Sequence, residues 1–414
     1  MREKIQEIWR NNTKVAENYV FMTLLQVLNL CFSLIIYPFL IRVLGAESYG
    51  LYAFFGAVVS LFTTFVSFGF DLPAAKQIAE CATDDEQKAR VLSEVTSSKI
   101  ILELISLIIF GLMFFISPKV QQNAILFSVL FLQTITNILF PQWYFQGVQR
   151  MRVVTYIQIA FKILTLPFIF CLLQRPEDIV LYAFIVSVSS VLGSVTAWLI
   201  IRYKDGLRVH PASLPEISQS MRKALPFFLS NATGIVKEQG IVLLIGEFLG
   251  MQDVAIYDLS NKIILIPRTI FCRINDALFP KMMSDPNVLR RKKVILGETA
   301  IGLGAIALIA AFGYWAVLFL GGKPMLPAYP ASVMLSVTIL SWLVAGAMID
   351  FYIIPSGKTF YVTINQIIAM LTTFVFAGIG LYFTRSVFAL TAALALSGLI
   401  EILFCYSLIR RLKL

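Results

Sequence analysis

Long apolar runs separated by short polar loops dominate the hydropathy pattern of this chain. Each run exceeds 18 residues and lacks the period-two alternation of a membrane strand, so the pattern predicts membrane-spanning helices. We number the twelve predicted helices span 1 to span 12. Their approximate limits are 20–41, 51–71, 97–117, 122–145, 153–174, 178–201, 224–246, 254–279, 294–320, 330–353, 359–383 and 387–409.

A polar stretch divides these spans into two sets of six. We therefore predict an all-α, polytopic membrane protein with an N-terminal lobe at 1–201, a cytoplasmic linker at 202–222 and a C-terminal lobe at 223–414. Residues 1–30 have too long an apolar region and no small-residue cleavage site for a signal peptide, so they predict a retained first span.

The composition supports a membrane location for most of the chain. Of 414 residues, 58% are hydrophobic and 14% are charged, whereas an ordinary soluble domain has about 45–50% and about 25%. The net charge of +10 could suit a nucleic-acid binder, but most basic residues lie at span ends. The single histidine, His210, and five scattered cysteines predict neither a metal site nor a disulfide framework.

The basic residues also predict the orientation. Loops on one side of the predicted membrane carry 23 Lys and Arg residues, and loops on the other side carry 5. Because basic loops stay in the cytoplasm, both termini are predicted to be cytoplasmic.

Short motifs suggest an internal repeat. The first copy consists of Leu44-Gly45, Tyr52 and Asp71. The same residues recur 205 positions later as Leu249-Gly250, Tyr257 and Asp276. With six spans in each lobe, both lobes enter the membrane from the same side. Such parallel repeats are related by an axis along the membrane normal, with substrate held between the lobes.

Six basic residues lie inside predicted spans: Lys99, Lys162, Lys237, Lys262, Arg268 and Arg273. A cation at the centre of a membrane helix costs about 2.5–3.5 kcal/mol on insertion scales. Each of these side chains should therefore face a water-filled cavity or a charged partner.

Span 8 concentrates this chemistry on one side of the helix. At 100° per residue, Asp258, Lys262, Arg273 and Asp276 share a polar face, with Arg268 close to it. One interpretation is a salt-bridge ladder, because Asp258 and Lys262 are spaced i,i+4. The favoured interpretation is the wall of a wet cavity, because Arg268 has no acid nearby on its own helix; the two interpretations can coexist.

Lys237 lies near the middle of span 7, which the repeat places next to span 8. We therefore expect Lys237, Lys262, Arg268 and Arg273 to converge on one cavity, with Lys162 as a counterpart in the first lobe. A cationic cavity predicts an anionic substrate, and phosphate or pyrophosphate is the natural group. Lys99 is instead predicted to form a structural i,i+4 pair with Glu103.

Four carboxylates are candidates for gating or ion coupling: Asp71, Asp258, Asp276 and Asp350. Asp71 and Asp276 occupy matching repeat positions, for which helix-end packing or gate closure is the favoured role. Asp258 and Asp350 lie deeper and could carry a coupling proton. No cofactor or metal is predicted, and the coupling ion, proton or sodium, is left open.

No catalytic machinery is evident in the sequence. There is no Ser/His/Asp set, phosphate-cradling glycine loop or acidic metal cluster, and the external loops are short. This argues against a membrane polymerase or glycosyltransferase.

Three segments carry a family resemblance. Tyr37 to Gly50 resembles the P-x-x-x-R-x-L-G-x-x-x-Y-G signature of bacterial lipid-linked oligosaccharide flippases, the Wzx-type members of the polysaccharide transport family. Ser67 to Phe70 fits the end of their second span, and Pro141 to Gly147 matches the P-x-W-x-x-Q-G pattern that closes their fourth. The family shares its superfamily with multidrug and toxin extruders.

The resemblance implies two six-helix lobes around a cavity walled largely by spans 1, 2, 7 and 8. It implies transfer of an undecaprenyl-pyrophosphate-linked oligosaccharide, such as an O-antigen repeat unit, to the periplasmic leaflet of the bacterial inner membrane by alternating access. Functional cations of the family line that cavity, and Arg42 and Arg150 would serve its outer and inner mouths. It further implies a monomer embedded in membrane lipid, with polysaccharide polymerase and chain-length proteins as partners and no nucleic acid. A multidrug or cation antiporter of the same superfamily is the alternative, for which we expect an acidic cavity.

Overall fold

The structure is a computed structural model that describes the backbone of residues 2–81, 84–284, 288–358 and 360–412. Within these ranges, the structure describes all side chains except those of residues 2–16, 19 and 272–290. All regular secondary structure in the described part of the chain is helical. The α-helices are α1 (Arg2–Ser67), α2 (Asp71–Glu80), α3 (Asp85–Ile116), α4 (Pro118–Gln122), α5 (Ala124–Leu139), α6 (Gln142–Gly147), α7 (Met151–Leu172), α8 (Ile179–Tyr203), α9 (Leu214–Phe248), α10 (Met251–Ser284), α11 (Val288–Gly321), α12 (Ala328–Met348), α13 (Phe360–Phe383) and α14 (Val387–Leu412).

Nine helical stretches in the described residues are long and apolar enough to cross a membrane. One of them, Val20–Glu80, contains both span 1 and span 2, so the nine stretches hold ten predicted spans. Spans 7 and 8 lie in α9 and α10, which are 35 and 34 residues long but carry charged residues in their apolar parts. The all-helical, multi-spanning fold is therefore confirmed, and the number of twelve spans is consistent with the helices observed.

The chain forms two compact units. Unit 1 comprises residues 1–39 and 58–232, and unit 2 comprises residues 40–57 and 233–414. Residues 40–57 of α1 thus belong to unit 2, and α9 begins at Leu214, inside the predicted linker. The division into lobes at 1–201 and 223–414 stays a prediction.

Helices α2, α3, α6, α7 and α8 surround the core of unit 1. Close packing of α6 on α2 depends on Gly147, where a Cβ atom would lie 2.7 Å from the carbonyl oxygen of Ala75. Gly69 has φ +69°, and a Cβ there would lie 2.5 Å from the backbone nitrogen of Phe228. These two family-like segments therefore contain glycines that a larger side chain could not replace without displacing backbone.

Helix α12 lies at the centre of unit 2, packed against α10, α11 and α14. It ends in a π-helical turn, Ile349–Ile353. Two sharp bends in this unit use glycine: Gly45 kinks α1 at φ +78°, and Gly250 separates α9 from α10 at φ +141°. These are matching positions of the proposed repeat, so the backbone is consistent with it.

Candidate functional site

Two of the intramembrane cations of unit 2 are held by carboxylates on neighbouring helices. Lys237 Nζ on α9 lies 2.8 Å from Glu401 Oε1 on α14, and the two side chains are only 12% and 11% exposed. Arg268 on α10 donates to Glu238 on α9 at 3.0 Å. Because Lys237 and Glu238 are adjacent on one helix, their side chains diverge by about 100° and reach different partners.

Arg268 also stacks on an aromatic ring. Its guanidinium carbon lies 3.6 Å from the ring centroid of Trp342, a cation–π geometry. Arg268 has no acid nearby on its own helix, and the structure supplies Glu238 from α9 instead. That partner could not be identified from spacing along one helix, because the pair forms only when α9 and α10 pack together.

Lys262 belongs to a second cluster in unit 2. It lies 2.6 Å from Asp258, so the i,i+4 pair of the salt-bridge interpretation is present. Tyr49 donates its hydroxyl to the same carboxylate at 2.7 Å, and the Lys262 ammonium lies 5.8 Å from the centroid of the tyrosine ring. Next to Tyr49, Gly50 allows close approach, because a Cβ there would lie 1.7 Å from the carbonyl oxygen of Met251.

A small cavity of about 40 Å³ lies among α9, α10, α12 and α14 of unit 2. Lys237 and Arg268 line it, together with their carboxylate partners Glu401 and Glu238 and with Trp342. Of the four cations predicted to converge, Lys237 and Arg268 meet at this cavity, and Lys262 does not line it. The side chains of Arg273 and Asp276 lie outside the described residues.

A larger cavity of about 470 Å³ lies inside unit 1, among α2, α3 and α5 to α8. Two lysines line it: Lys162, which was predicted as a substrate contact, and Lys99, which was not. Trp143 and Gln146 of the P-x-W-x-x-Q-G segment also line it. Their contribution to a cavity was missed by sequence reasoning, although the motif itself was visible.

The two lysines of this cavity differ in their partners. Lys99 is 2% exposed, lies 3.5 Å from Asp71 and donates to the carbonyl of Asn137 at 3.2 Å. Glu103, its expected partner, accepts a hydrogen bond from Thr134. Cross-helix packing again supplied partners that the i,i+4 spacing did not predict.

Lys162 donates to the side-chain oxygen of Asn29 and lies 4.9 Å from the ring centroid of Phe32. Among the described residues, no carboxylate lies within 4.0 Å of its ammonium group. An amide and an aromatic ring therefore hold this cation.

The predicted cavity-mouth arginines make local contacts. Arg42 donates to the carbonyl of Phe319 at 3.2 Å. Arg150 lies 2.5 Å from Asp205, which also accepts the hydroxyl of Tyr144 at 2.9 Å. Each arginine therefore fixes the end of a neighbouring helix or loop, and their role as cavity mouths stays a prediction.

Asp350, one of the two deeper carboxylates, follows α12, and Glu298 lies on α11. Asp350 is in the π-helical turn, a feature that is frequent at functional sites. It interacts electrostatically with Glu298, which is 1% exposed and has no hydrogen-bond partner for either carboxylate oxygen among the described residues.

Outside the predicted spans, Glu216 accepts hydrogen bonds at the start of α9. The backbone nitrogen of Ser213 donates at 3.0 Å and its hydroxyl at 2.8 Å, and Arg90 donates at 2.8 Å. These contacts hold the pKa of Glu216 below its usual value, with the backbone hydrogen bond as the largest cause.

The helices and buried charges together define a polytopic α-helical membrane protein with ion pairs and polar cavities between its helices. The polysaccharide biosynthesis protein family model matches residues 15–285, about two thirds of the chain. The chain therefore belongs to this family, as the three sequence motifs indicated.

Two curated relatives carry the same name, "Putative O-antigen transporter". The protein of Escherichia coli (strain K12) is 26% identical over 308 residues, which cover 73% of this chain and 74% of the relative. The protein of Shigella dysenteriae is 25% identical over 268 residues, covering 65% and 67%. Together with the family match, they make this chain a membrane transporter rather than an enzyme.

Solved transporters share the fold. An inward-facing multidrug resistance transporter of the MATE family superposes with a TM-score of 0.70 at 15% identity, over 92% of this chain and 95% of the transporter. A MOP superfamily transporter from Pyrococcus furiosus gives a TM-score of 0.63 at 16% identity, over 97% and 96%. At these identities the likeness concerns the fold alone.

Proposed function

We propose that this transporter moves an undecaprenyl-pyrophosphate-linked oligosaccharide, an O-antigen or related repeat unit, from the cytoplasmic to the periplasmic leaflet of the bacterial inner membrane by alternating access. The observation that carries the proposal is the placement of basic side chains of the predicted spans on cavity walls within each unit. Cations in so costly a position are suited to an anionic substrate. The name of the curated relatives supports a glycan as the cargo.

In this proposal the substrate's phosphates compete for cations that are paired at rest. Lys237 and Arg268 would exchange Glu401 and Glu238 for phosphate oxygens, because an ammonium or guanidinium binds either anion with charge-assisted hydrogen bonds. Lys262 and Arg273 would extend the same path along α10. Exchange keeps each buried cation compensated throughout the cycle, which avoids the cost of an unpaired charge.

Coupling to a proton or to sodium would use carboxylates of unit 2. Asp258 is released when Lys262 moves, and Asp350 interacts with the buried Glu298. Neutralising Asp350 as Asp350→Asn should then slow transport while leaving substrate affinity unchanged. Asp71 and Asp276 would act at the helix ends as gate contacts. Cytoplasmic termini, a monomeric state, and contact with polymerase and chain-length proteins belong to the same proposal.

Deletion of the gene followed by analysis of the accumulated lipids tests the function. We expect an undecaprenyl-pyrophosphate-linked glycan to accumulate and surface polysaccharide to fall. Arg268→Gln should reproduce the loss in a complementation assay, whereas Lys323→Gln, at an exposed position of the short 3₁₀-helix Lys323–Met325, should complement fully. Normal surface polysaccharide in the deletion strain would refute the proposal.

The multidrug or cation antiporter remains the second candidate because of its shared fold. Purified protein in proteoliposomes separates the two. Transfer of a lipid-linked glycan across the bilayer supports the flippase, whereas uptake of a cationic dye driven by an ion gradient, without glycan transfer, supports the antiporter.

A further inference from the structure

The described intramembrane cations differ in how their charge is compensated. Lys99, Lys237, Lys262 and Arg268 each lie within 4.0 Å of a carboxylate. Lys162 is held by the oxygen of Asn29 and the ring of Phe32, both of which are uncharged. In the part of the chain that the structure describes, Lys162 is thus the intramembrane cation with no carboxylate beside it.

Lys162 also lies on the wall of the larger cavity, the 470 Å³ space in unit 1. This volume falls within the range of about 300–1,000 Å³ that is typical of small-molecule sites. Small residues on α8 also line the cavity, among them Ser190, Gly193 and Ser194. A lysine ammonium carries three donors, and Asn29 accepts one of them, so donors remain for a ligand.

The rest of the lining suits a sugar. Gln142, Gln146 and Gln158 supply amide groups that both donate and accept hydrogen bonds. Trp143 borders the cavity but is only 3% exposed, so its ring belongs to the core of unit 1 rather than to an open wall. The Lys162 cation and three amide groups therefore converge in one cavity, together with the ion pair of Lys99 and Asp71.

We propose that the unit 1 cavity binds a sugar bearing an anionic group, with Lys162 as the contact to the anion. This inference rests on the proposed glycan function and adds a specific site to it. Two sources carry the required chemistry: the pyrophosphate that links sugar to lipid, and an acidic sugar such as a uronic acid. Unlike the paired cations of unit 2, Lys162 can bind an anion without first losing a carboxylate.

Binding to the full-length protein in lipid nanodiscs tests the site. The probes are undecaprenyl pyrophosphate for the first source, glucuronic acid for the second, and glucose as the neutral comparison. Because a hydrogen bond to a charged group contributes strongly, Lys162→Gln should weaken binding of at least one anionic probe by about tenfold to a hundredfold. Lys162→Arg should retain most of the affinity, and binding should weaken as salt rises.

Two further variants separate binding from structure. Asn29→Ala removes the partner of Lys162 but keeps the cation. If the contact between Lys162 and Asn29 were purely structural, Asn29→Ala should weaken probe binding as much as Lys162→Gln does. Lys76→Gln makes the same charge change on a side chain that is 77% exposed, and should bind like the wild type. Thermal unfolding of each variant reports whether the fold is intact.

The outcomes are distinct. Loss of undecaprenyl pyrophosphate binding in Lys162→Gln identifies the linker as the ligand, and loss of glucuronic acid binding alone identifies an acidic sugar. Binding of both anionic probes by Lys162→Gln within twofold of wild type, or equal loss in Asn29→Ala, would overturn the inference. Glycan transfer by the wild-type protein tests the proposed function separately, so either can fail while the other stands.

Discussion

The ion pair between Lys237 and Glu401 allows a decisive test of what the unit 2 cations do. We consider three variants: Lys237→Gln, Glu401→Gln and the double variant with both changes. The single changes leave one charge buried without its partner, whereas the double change replaces the pair with two amides that can still hydrogen bond. A structural ion pair and a cation reserved for substrate predict different results.

The geometry sets the magnitude. The charged atoms lie 2.8 Å apart, and the side chains are 12% and 11% exposed. At an effective dielectric constant of about 20, the attraction is about 6 kcal/mol before desolvation is subtracted. Removal of one partner from a buried pair costs about 3–5 kcal/mol, while an amide pair retains a neutral hydrogen bond of about 1 kcal/mol. Each single variant should therefore be less stable than the double variant by about 2 kcal/mol or more.

Thermal unfolding of detergent-purified protein, followed by tryptophan fluorescence, measures this order. We expect the wild type to be most stable, then the double variant, then both single variants, with Lys323→Gln matching the wild type. A double variant whose loss equals the sum of the single losses would refute the pairing argument.

Transport by the same double variant tests the role in the proposed cycle. If phosphate displaces Glu401 from Lys237, the double variant should fold well but support much less surface polysaccharide than wild type. Wild-type levels of surface polysaccharide would show that Lys237 stabilises α9 against α14 without contacting substrate.

Two further predictions concern packing and pH. Gly50→Ala should destabilise the protein or abolish its accumulation in the membrane, because the added Cβ would lie 1.7 Å from the carbonyl oxygen of Met251. The control is Gly56→Ala in the same helix, where an added Cβ would meet no neighbouring group within 4 Å, and it should match or exceed wild-type stability in a thermal assay. The pKa of Glu216 is lower in the folded protein than in the unfolded chain, so its carboxylate stabilises the fold above the unfolded pKa and loses this effect as pH falls through the folded pKa. Proteolysis near Ser213 should therefore rise on acidification of the wild type, and Glu216→Gln should remove this pH dependence.

Hydropathy was sufficient to predict the helical membrane fold because lipid forces every backbone polar group to pair within its own helix. The length of each apolar run therefore fixes the type of element, whatever its neighbours are. Spans 7 and 8 illustrate the point, since they form continuous helices despite Lys237 and Arg268. The matching bends at Gly45 and Gly250 are likewise visible as sequence matches.

The same reasoning could not predict which charged residues pair between different helices. Spacing along one helix correctly identified Asp258 with Lys262, but assigned Glu103 rather than Asp71 to Lys99. Partners on other helices depend on how helices pack, and a single sequence contains no direct record of that packing. Cavities are harder still, because the walls of the space beside Lys162 come from six helices, α2, α3 and α5 to α8.

The motifs that reveal the family contain both packing residues and residues of the proposed binding cavity. Gly50, Gly69 and Gly147 each permit a backbone approach that a Cβ atom would block, so these positions encode helix packing. Gln142 and Gln146 of the third segment line the unit 1 cavity, whereas Lys162 and Arg268 lie on cavity walls outside the segments. Relatives that share the packing glycines but carry a different cargo should therefore differ at cavity-lining positions such as Lys162 and Arg268.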